Sequence, residues 1–312
     1  MSASAVLTGL LAFPLTAFDD DLALDLDGFA AGVEQHVAHE AGAVFLGCGT
    51  GEFSALSLQE QSALLTRGRE AVAGRVPVWV GVGGSAAQAR AGVAMAQEGG
   101  ADGVLLMPPY LISGPPSGLL DYVRYAIGDS SVPVVVYHRG DGVFTPTSAL
   151  GLLDIPSVIG LKDGFGSVEL MTRIVTGIRS AGGDRARDFL FFNGLPTAEV
   201  SARAYAAIDV ARYSSAVHCF APEIAMAFFH ALHDGDDTTQ HRLLSRFYLP
   251  LVELRDETPG FAVSLVKAAA RMRGQKVGSV RPPLVEPTPE QLDRLSGIVD
   301  EGLAVVAQRG AA

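Results

Sequence analysis

Eight apolar runs of strand length recur along the chain at intervals of about 20 to 35 residues, and this repetition constrains the fold more than any other feature of the sequence. The runs are continuous and rich in Val, Leu and Phe, which is typical of parallel strands covered on both faces. They cover residues 6–13, 42–49, 77–83, 103–109, 133–139, 158–163, 189–194 and 211–217.

The segments between these runs have helical spacing. Phe29, Val33 and Val37 form an i, i+4, i+8 stripe, and Ser57 followed by Glu60 has the pattern of a capping box. Eight strand–helix units in one chain predict a (β/α)8 TIM barrel in the α/β class. A doubly wound sheet is the alternative, but it requires a glycine-rich turn after the first strand, and residues 13–16 read Phe-Pro-Leu-Thr.

About 90 residues follow the eighth run, more than one closing helix needs. Thr288, Pro289 and Gln291 are typical of the N-cap, N1 and N3 positions of a final helix. We therefore predict a barrel core carrying the site in residues 1–220, and the last barrel helix with an appended helical region in residues 221–312. The helices predicted after the barrel cover residues 222–233, 238–256, 260–273 and 289–308.

Composition limits the partners of the chain. A net charge of −11 leaves no basic stripe for nucleic acid, and no run approaches the roughly 20 apolar residues of a membrane span. The apolar run 5–15 has no basic region before it and leads into three aspartates, so we interpret it as a strand rather than a signal peptide. Cys48 and Cys219 are far apart and are expected to be reduced thiols. We expect a cytoplasmic protein without nucleic-acid or membrane partners.

Lys162 is the strongest candidate for a catalytic residue. Lys162, Lys267 and Lys276 are the only lysines among 23 Lys and Arg residues, and Lys162 stands where the apolar run 158–163 ends. Only lysine can lose its proton when desolvated and attack a carbonyl to form a Schiff base, whereas arginine stays charged. A lysine whose charged end reaches the surface from a strand end is the alternative.

In a barrel, function gathers where the strands end. Tyr137 can relay protons beside Lys162, and Gly49, Thr50 and Gly51 can offer backbone N–H groups and a hydroxyl to a carboxylate. Arg139 can hold a second carboxylate. Each residue alone has a structural explanation, such as Tyr137 in the core, and the combination on successive strand ends indicates carbonyl chemistry.

The seventh and eighth runs supply further candidate substrate ligands, and the histidine pairs of the chain are not expected to form a metal site. We expect the substrate also to contact Asn193 and Gly194 at the end of run seven, and Tyr213 and Ser214 in run eight. The pairs His36/His39 and His230/His233 have i, i+3 spacing but no third ligand in pattern, so no metal is predicted.

The chain resembles the dihydrodipicolinate synthase / N-acetylneuraminate lyase superfamily of Schiff-base barrels. The shared marks are G-T-G-E at 49–52, P-P-Y at 108–110, Tyr137 and G-L-K-D at 160–163. Within it the chain is most similar to the 5-dehydro-4-deoxyglucarate dehydratase family. The marks of that family are L-L-A-F-P-L-T-A-F-D at 10–19, G-C-G-T-G-E-F at 47–53, G-L-K-D-G at 160–164, G-L-P-T-A-E-V at 194–200, Y-S-S-A-V at 213–217, P-G-F-A-V-S-L-V-K at 259–267 and V-R-P-P-L at 280–284.

The resemblance implies residue roles and an activity. Lys162 is the implied Schiff-base residue, Tyr137 its acid/base partner, and Thr50 with the neighbouring amides the seat of the carboxylate next to the ketone. The implied reaction converts 5-dehydro-4-deoxy-D-glucarate to 2,5-dioxopentanoate, CO2 and water in D-glucarate catabolism. It implies a small keto-diacid substrate and no cofactor beyond the lysine imine, and members of the family are usually tetramers or dimers of dimers.

The chain departs from the sequence motifs of both branches at a few positions, and these differences bear on its activity. The synthase branch has a threonine at the position of Gly49, a tyrosine at Leu111 and a proline shortly after Tyr137, and this chain has none of them. Dihydrodipicolinate synthesis is therefore disfavoured. From the dehydratase family we would expect Gln at His138 and a Phe-Asn pair near residues 218–219. Two alternatives remain open: a class I aldolase that cleaves a 2-keto-3-deoxy sugar acid to pyruvate, and a non-catalytic barrel that binds a keto acid.

Overall fold

The computed structural model describes residues 7–309, and within them eight parallel strands form one sheet in sequential order. A bridge between Leu11 and Ser214 joins the first strand to the chain leaving the last, which closes the sheet into a barrel. The (β/α)8 prediction is thus confirmed. The strands are β1 Leu11–Ala12, β2 Ala43–Leu46, β3 Val78–Gly84, β4 Gly103–Pro109, β5 Val134–His138, β6 Val158–Asp163, β7 Leu190–Asn193 and β8 Arg212–Tyr213.

Helices alternate with these strands and continue beyond them. The helices in and around the barrel wall are α1 Leu26–Ala38, α2 Leu58–Val72, α3 Ala86–Glu98, α4 Pro116–Ile127, α5 Pro146–Leu150, α6 Val168–Ser180, α7 Gly183–Asp188 and α8 Ala202–Ala206. After β8 come α9 Pro222–Asp234, α10 Asp237–Leu243, α11 Leu249–Asp256, α12 Phe261–Met272 and α13 Pro289–Arg309.

The predicted first strand, 6–13, is longer than the strand that forms. Val6 lies outside the described residues, and Gly9 has a φ of +69°, which takes the chain out of the extended conformation before Leu11. The helix predicted over 238–256 is interrupted by a π turn, Leu244–Tyr248. Pro250 follows that turn and has no N–H to donate, so regular α-helical hydrogen bonding cannot run through it.

Alternate residues of each strand pack on opposite sides of the sheet. Trp79, Leu105 and Val135 fill the barrel interior, and their neighbours Val80 and Leu106 pack outwards beneath the helices. This alternation buries both faces, which explains the uninterrupted apolar runs in the sequence. Because the strands are parallel, their C-terminal ends all open at one face of the barrel.

Two predicted helix starts have the expected caps. The Ser57 N–H donates to the Glu60 carboxylate at 2.8 Å and the Glu60 N–H donates to the Ser57 hydroxyl at 3.2 Å, which is a capping box. Thr288 and Gln291 exchange the corresponding pair of hydrogen bonds, at 3.0 and 3.3 Å, at the start of α13.

The C-terminal helices share a buried apolar cluster with the barrel. Phe228 and Phe247 of these helices belong to one cluster with Leu10, Leu15 and Tyr213 of the barrel. The division at residue 220 stays a prediction. Among the described residues, no helix combines the length and apolar character that crossing a membrane requires.

Candidate active site

A cavity of about 330 Å³ opens at the C-terminal ends of the strands. Lys162 on β6 and Tyr137 on β5 line it, and the start of α12 together with Leu284 forms part of its wall. The lining residues are Phe13, Gly49, Thr50, Leu105, Tyr137, Arg139, Lys162, Gly194, Leu195, Pro196, Ser214, Ser215, Ala216, Gly260, Ala262, Val263 and Leu284. Seven predicted site residues therefore meet here, and Gly51, Asn193 and Tyr213 do not line the cavity.

Lys162 is buried at the cavity, with 5% of the residue exposed. Its Nζ lies 4.4 Å from the centroid of the Tyr137 ring and 4.9 Å from that of Phe13. The amine donates a long hydrogen bond, 3.5 Å, to the Gly194 carbonyl. No carboxylate among residues 7–309 forms a salt bridge with Lys162, so the amine can reach a carbonyl carbon without first breaking an ion pair.

Tyr137 pairs with Lys162 in the register of β5 and β6. Its hydroxyl donates to the Gly194 carbonyl at 2.9 Å and accepts from Arg139 Nη1 at 3.3 Å. Burial alone would raise the pKa of Tyr137, but the positive charges of Lys162 and Arg139 and the Arg139 hydrogen bond together lower this pKa below its ordinary value. A phenol with a lowered pKa beside an amine suits proton transfer at the atom next to an imine.

Two glycines allow this close packing. A Cβ on Gly194 would lie 2.5 Å from Lys162 Nζ and 2.8 Å from the Asp163 carbonyl oxygen. A Cβ on Gly164 would lie 2.7 Å from the Tyr137 ring. Gly194 was predicted as a ligand, whereas the role of Gly164 was not predicted, although its G-L-K-D-G context is visible in the sequence.

The loop of Gly49, Thr50 and Gly51 lies between β2 and α2. Gly49 and Thr50 line the cavity, whereas Gly51 is buried and its carbonyl accepts from the Thr16 hydroxyl at 2.6 Å. Glu52 holds the end of this loop with a φ of +58°. Its role was not predicted, because its partners come from a segment more than 200 residues later.

Glu52 forms a buried ion pair with Lys267 on α12. Lys267 Nζ lies 2.7 Å from Glu52 Oε1 and donates to the Ser279 carbonyl at 2.7 Å. The Arg281 N–H donates to the second carboxylate oxygen at 2.8 Å. Burial lowers the pKa of Lys267, and Glu52 partly opposes that shift. This second buried lysine therefore joins the C-terminal region to the loop of the cavity and does not face the cavity itself.

Asn193 and Tyr213 lie behind the cavity wall. The Asn193 amide donates to the Ala198 carbonyl at 3.1 Å and to the Ser201 hydroxyl at 2.8 Å, which fixes the turn after β7. Tyr213 is buried in the cluster shared with the C-terminal helices. Their assignment as substrate ligands stays a prediction.

A second polar group behind the wall orders the loop after β6. Asp163 accepts from the Phe165 N–H at 2.9 Å and from the Tyr205 hydroxyl. His138 accepts from the Phe144 N–H at its Nδ1, 2.9 Å away, so its proton sits on Nε2, 3.9 Å from Asp163. Burial lowers the pKa of His138, and Asp163 partly opposes the shift. Neither side chain lines the cavity.

Ser215 and Glu199 form a pair that was not predicted from the sequence. The Ser215 hydroxyl donates to the Glu199 carboxyl, and both residues are buried, with Ser215 in the wall of the cavity and Glu199 behind that wall. The signal was present in the motif stretches 194–200 and 213–217, but the sequence cannot show that the two side chains meet.

The predicted absence of a metal site concerned two histidine pairs. His36 contacts His218, from the turn after β8, with the two Nδ1 atoms 2.6 Å apart, whereas His230 and His233 lie on α9. Within residues 7–309 no group of three or more His, Cys, Asp or Glu side chains is placed to hold a metal ion.

Comparison with known proteins shows the family. The model of the dihydrodipicolinate synthetase family matches residues 6–301. This chain belongs to that family. It is 47% identical over 301 residues to a protein of Streptomyces avermitilis named "Probable 5-dehydro-4-deoxyglucarate dehydratase 1", covering 96% of this chain and 95% of the relative. A Streptomyces coelicolor protein of the same name is 48% identical with the same coverage.

Solved structures of this family share the fold. The dihydrodipicolinate synthase of Oceanobacillus iheyensis superposes with a TM-score of 0.87 at 21% identity, covering 96% of this chain and 98% of that one. The synthase of Bacillus clausii gives 0.86 at 23% identity, with 95% and 98% covered. At these identities the likeness concerns the barrel and its C-terminal helices.

Proposed function

We propose that this chain is a decarboxylating 5-dehydro-4-deoxyglucarate dehydratase that acts through a Schiff base on Lys162. The observation that carries the proposal is that the buried Lys162 lines the cavity beside Tyr137. The relatives that are 47–48% identical over nearly the whole chain carry the name of this dehydratase.

The first half of the reaction needs an amine and a base. Lys162 condenses with the C5 ketone, water leaves, and the protonated imine withdraws electrons from C4. Tyr137, as phenolate, removes a C4 proton to give an enamine; Thr50 or a water molecule can share this transfer. The enamine then expels the C3 hydroxyl as water, which leaves an iminium conjugated to the C3–C4 double bond.

The second half uses the same electron sink. The conjugated iminium now reaches the bond between C1 and C2, so CO2 leaves and its bonding electrons enter the conjugated system. Protonation, tautomerisation and hydrolysis of the imine release 2,5-dioxopentanoate and free Lys162. Because the imine serves both steps, we propose that no metal, thiamine or pyridoxal cofactor is required.

Two sites at the cavity suit the two carboxylates of the substrate. The amides around Gly49 and Gly51 with the Thr50 hydroxyl suit the carboxylate next to the ketone, and Arg139, exposed at the mouth, suits the distal one. An Arg139→Gln variant should raise KM about tenfold or more, with a smaller change in kcat, if the guanidinium serves mainly to bind.

We also propose that the enzyme is a homo-oligomer, a tetramer or dimer of dimers, that works in the cytoplasm. Its partner is then the keto-diacid alone, without nucleic acid or membrane. The net charge of −11 is consistent with the lack of a nucleic-acid partner. Sedimentation velocity of the purified full chain tests the oligomeric state, and a monomer at micromolar concentration would contradict it.

Product analysis tests the activity. The wild type and a Lys162→Ala variant are incubated with 5-dehydro-4-deoxyglucarate, and CO2, 2,5-dioxopentanoate and pyruvate are measured. CO2 formed in step with 2,5-dioxopentanoate, and absent in the variant, supports the proposal. Pyruvate without CO2 indicates an aldolase. Borohydride trapping of the lysine without any product indicates a barrel that only binds keto acids.

A further inference from the structure

A buried carboxyl lies directly behind the cavity wall. Glu199 belongs to the turn Ala198–Ser201 after β7, is 1% exposed, and is hydrogen bonded to the Ser215 hydroxyl. Ser215, itself 0% exposed, is one of the hydroxyl-bearing residues of the cavity wall in residues 7–309, and it is the one of them whose hydroxyl is bonded to a carboxyl. The pair thus connects the cavity to a titratable group that the proposed chemistry has not used.

The surroundings of Glu199 favour the protonated carboxyl. Within the described part of the chain no Lys, Arg or His forms a salt bridge with Glu199, and Arg255 on the neighbouring helix donates to the Thr197 hydroxyl instead. Burial raises the pKa of Glu199 to about 7, although the Ser215 hydrogen bond lowers it.

The other titratable groups facing Glu199 are two buried tyrosines. Tyr213 comes from β8, and its hydroxyl has no hydrogen-bond partner among residues 7–309, whereas Tyr248 comes from the π turn and its hydroxyl interacts with the Glu199 carboxyl. Burial and then the charge of Glu199 raise the pKa of both tyrosines well above the ordinary value. Both phenols are therefore neutral when Glu199 titrates, which leaves Glu199 as the group that exchanges protons near neutral pH.

The proposed reaction contains a step that needs an acid. Expulsion of the C3 hydroxyl is fast only if that oxygen receives a proton as the bond breaks, because hydroxide is a poor leaving group. Tyr137 is bonded to the Gly194 carbonyl and Arg139 beside Lys162, and its lowered pKa suits the base that works on C4. A separate donor at C3 lets the elimination proceed without Tyr137 having to serve both C4 and the C3 oxygen.

We propose that Ser215 and Glu199 form a proton relay to the leaving C3 hydroxyl, an inference that rests on the proposed function. Ser215 is the catalytic residue that touches the substrate, and Glu199 is the positioning residue that supplies its proton. In the structure the Ser215 hydroxyl donates to Glu199, and in the relay this hydrogen bond is reversed, so that the protonated Glu199 carboxyl donates to Ser215 Oγ and the Ser215 hydroxyl donates to the C3 oxygen. The Glu199 O–H bond then breaks towards Ser215 Oγ while the Ser215 O–H bond breaks towards the C3 oxygen. The C3–O electron pair leaves on oxygen, water departs, and Glu199 remains as carboxylate until a solvent proton returns.

The pH dependence of kcat tests the relay. In the wild type, kcat should fall as the pH rises through about 7, since a deprotonated Glu199 cannot donate. In Glu199→Gln and in Ser215→Ala, kcat at pH 6 should fall about 100-fold, and the decline above pH 7 should vanish. The double variant should be no slower than either single one, because both changes interrupt one path.

Trapping and a control variant separate the possible results. In both variants borohydride should still trap the substrate on Lys162, which would show that the Schiff-base site is intact. Glu223→Gln, a carboxyl of α9 paired with Arg273, should keep kcat and its pH profile. The relay would be overturned, with the dehydratase proposal left standing, by either of two results. One is a loss of kcat in the double variant equal to the product of the two single losses, and the other is a fall in kcat above pH 7 that persists in Glu199→Gln. If Glu199→Gln does not fold, Ser215→Ala decides on the same criteria. A wild type that forms no product overturns the dehydratase and the relay together.

Discussion

Lys162 and Tyr137 donate to the same acceptor, the Gly194 carbonyl, at 3.5 and 2.9 Å. Their two strands are adjacent and pair these residues in register, so the amine and the phenol are held side by side before any substrate enters. A carbonyl carbon bonded to the amine then brings its neighbouring carbon next to the phenol. This arrangement allows imine formation and proton removal to be tested separately.

Tyr137→Phe should separate the two steps. The variant keeps the ring and removes the hydroxyl, so kcat should fall about 100- to 10,000-fold while borohydride still traps substrate on Lys162. The matched control is Tyr122→Phe, because Tyr122 also donates to a carbonyl, that of Met107 at 2.9 Å, but does not line the cavity. Wild-type kcat in Tyr137→Phe would show that another group moves the C4 proton.

The two buried lysines should respond in opposite ways to removal of the amine. Lys162→Met should abolish product formation and leave the free energy of unfolding in urea unchanged or higher, because its amine has no ion-pair partner in residues 7–309. Lys267→Met leaves Glu52 buried and unpaired, and should lower the free energy of unfolding by about 3–5 kcal/mol. Equal losses of stability in the two variants would contradict these roles.

This contrast shows what the sequence could and could not reveal. Lys162 was predictable because it interrupts an apolar run at a strand end, and strand ends of a parallel barrel meet at one face. Lys267 lies on a helix, and its partner Glu52 is 215 residues away in the chain. No local sequence pattern encodes that contact. The role of Glu52 in the G-T-G-E motif, which is to support the loop through Lys267, was therefore not predicted.

Gly194→Ala should disturb the site more than the fold. The added Cβ would lie 2.5 Å from the Lys162 amine, and displacing that amine by about 1 Å should lower kcat about 100-fold. The control is Gly177→Ala in α6, where a Cβ meets nothing within 4 Å, and a helical Ala should raise the free energy of unfolding by up to about 1 kcal/mol. Both quantities are measured on both variants, and unchanged kcat in Gly194→Ala would mean that the amine has room to move.

Two pairs of adjacent residues show where prediction from the sequence fails. Ser214 and Ser215 are indistinguishable in the sequence, yet the bond to Glu199 sets Ser215 apart. Gly194 lines the cavity while the preceding Asn193 turns its amide to the backbone of its own loop. What distinguishes such neighbours is a contact with another segment, such as that between Ser215 and Glu199, and the sequence does not show that contact.

The contact between His36 and His218 makes the stability of the fold depend on pH. His218 Nε2 lies 3.0 Å from the His39 carbonyl and must donate to it, so in the neutral ring Nδ1 accepts, and the Nδ1 proton belongs to His36. Burial lowers the pKa of His218 to about 4, and burial followed by the neighbouring histidines lowers the pKa of His36 well below its ordinary value.

Acid should therefore favour the unfolded chain. Its free histidines bind protons below about pH 6.5 while the folded pair stays neutral, so stability is full above that pH and falls by up to about 1.4 kcal/mol per unit and per histidine as the pH drops towards 4. Urea unfolding at pH 7, 6 and 5 measures this slope in the wild type and in the His36→Leu, His218→Leu double variant. The double variant should be less stable at pH 7 but show a smaller decline on acidification, whereas His230→Gln, an exposed control, should keep the wild-type slope. Equal slopes in the wild type and the double variant would mean that other groups carry the acid sensitivity.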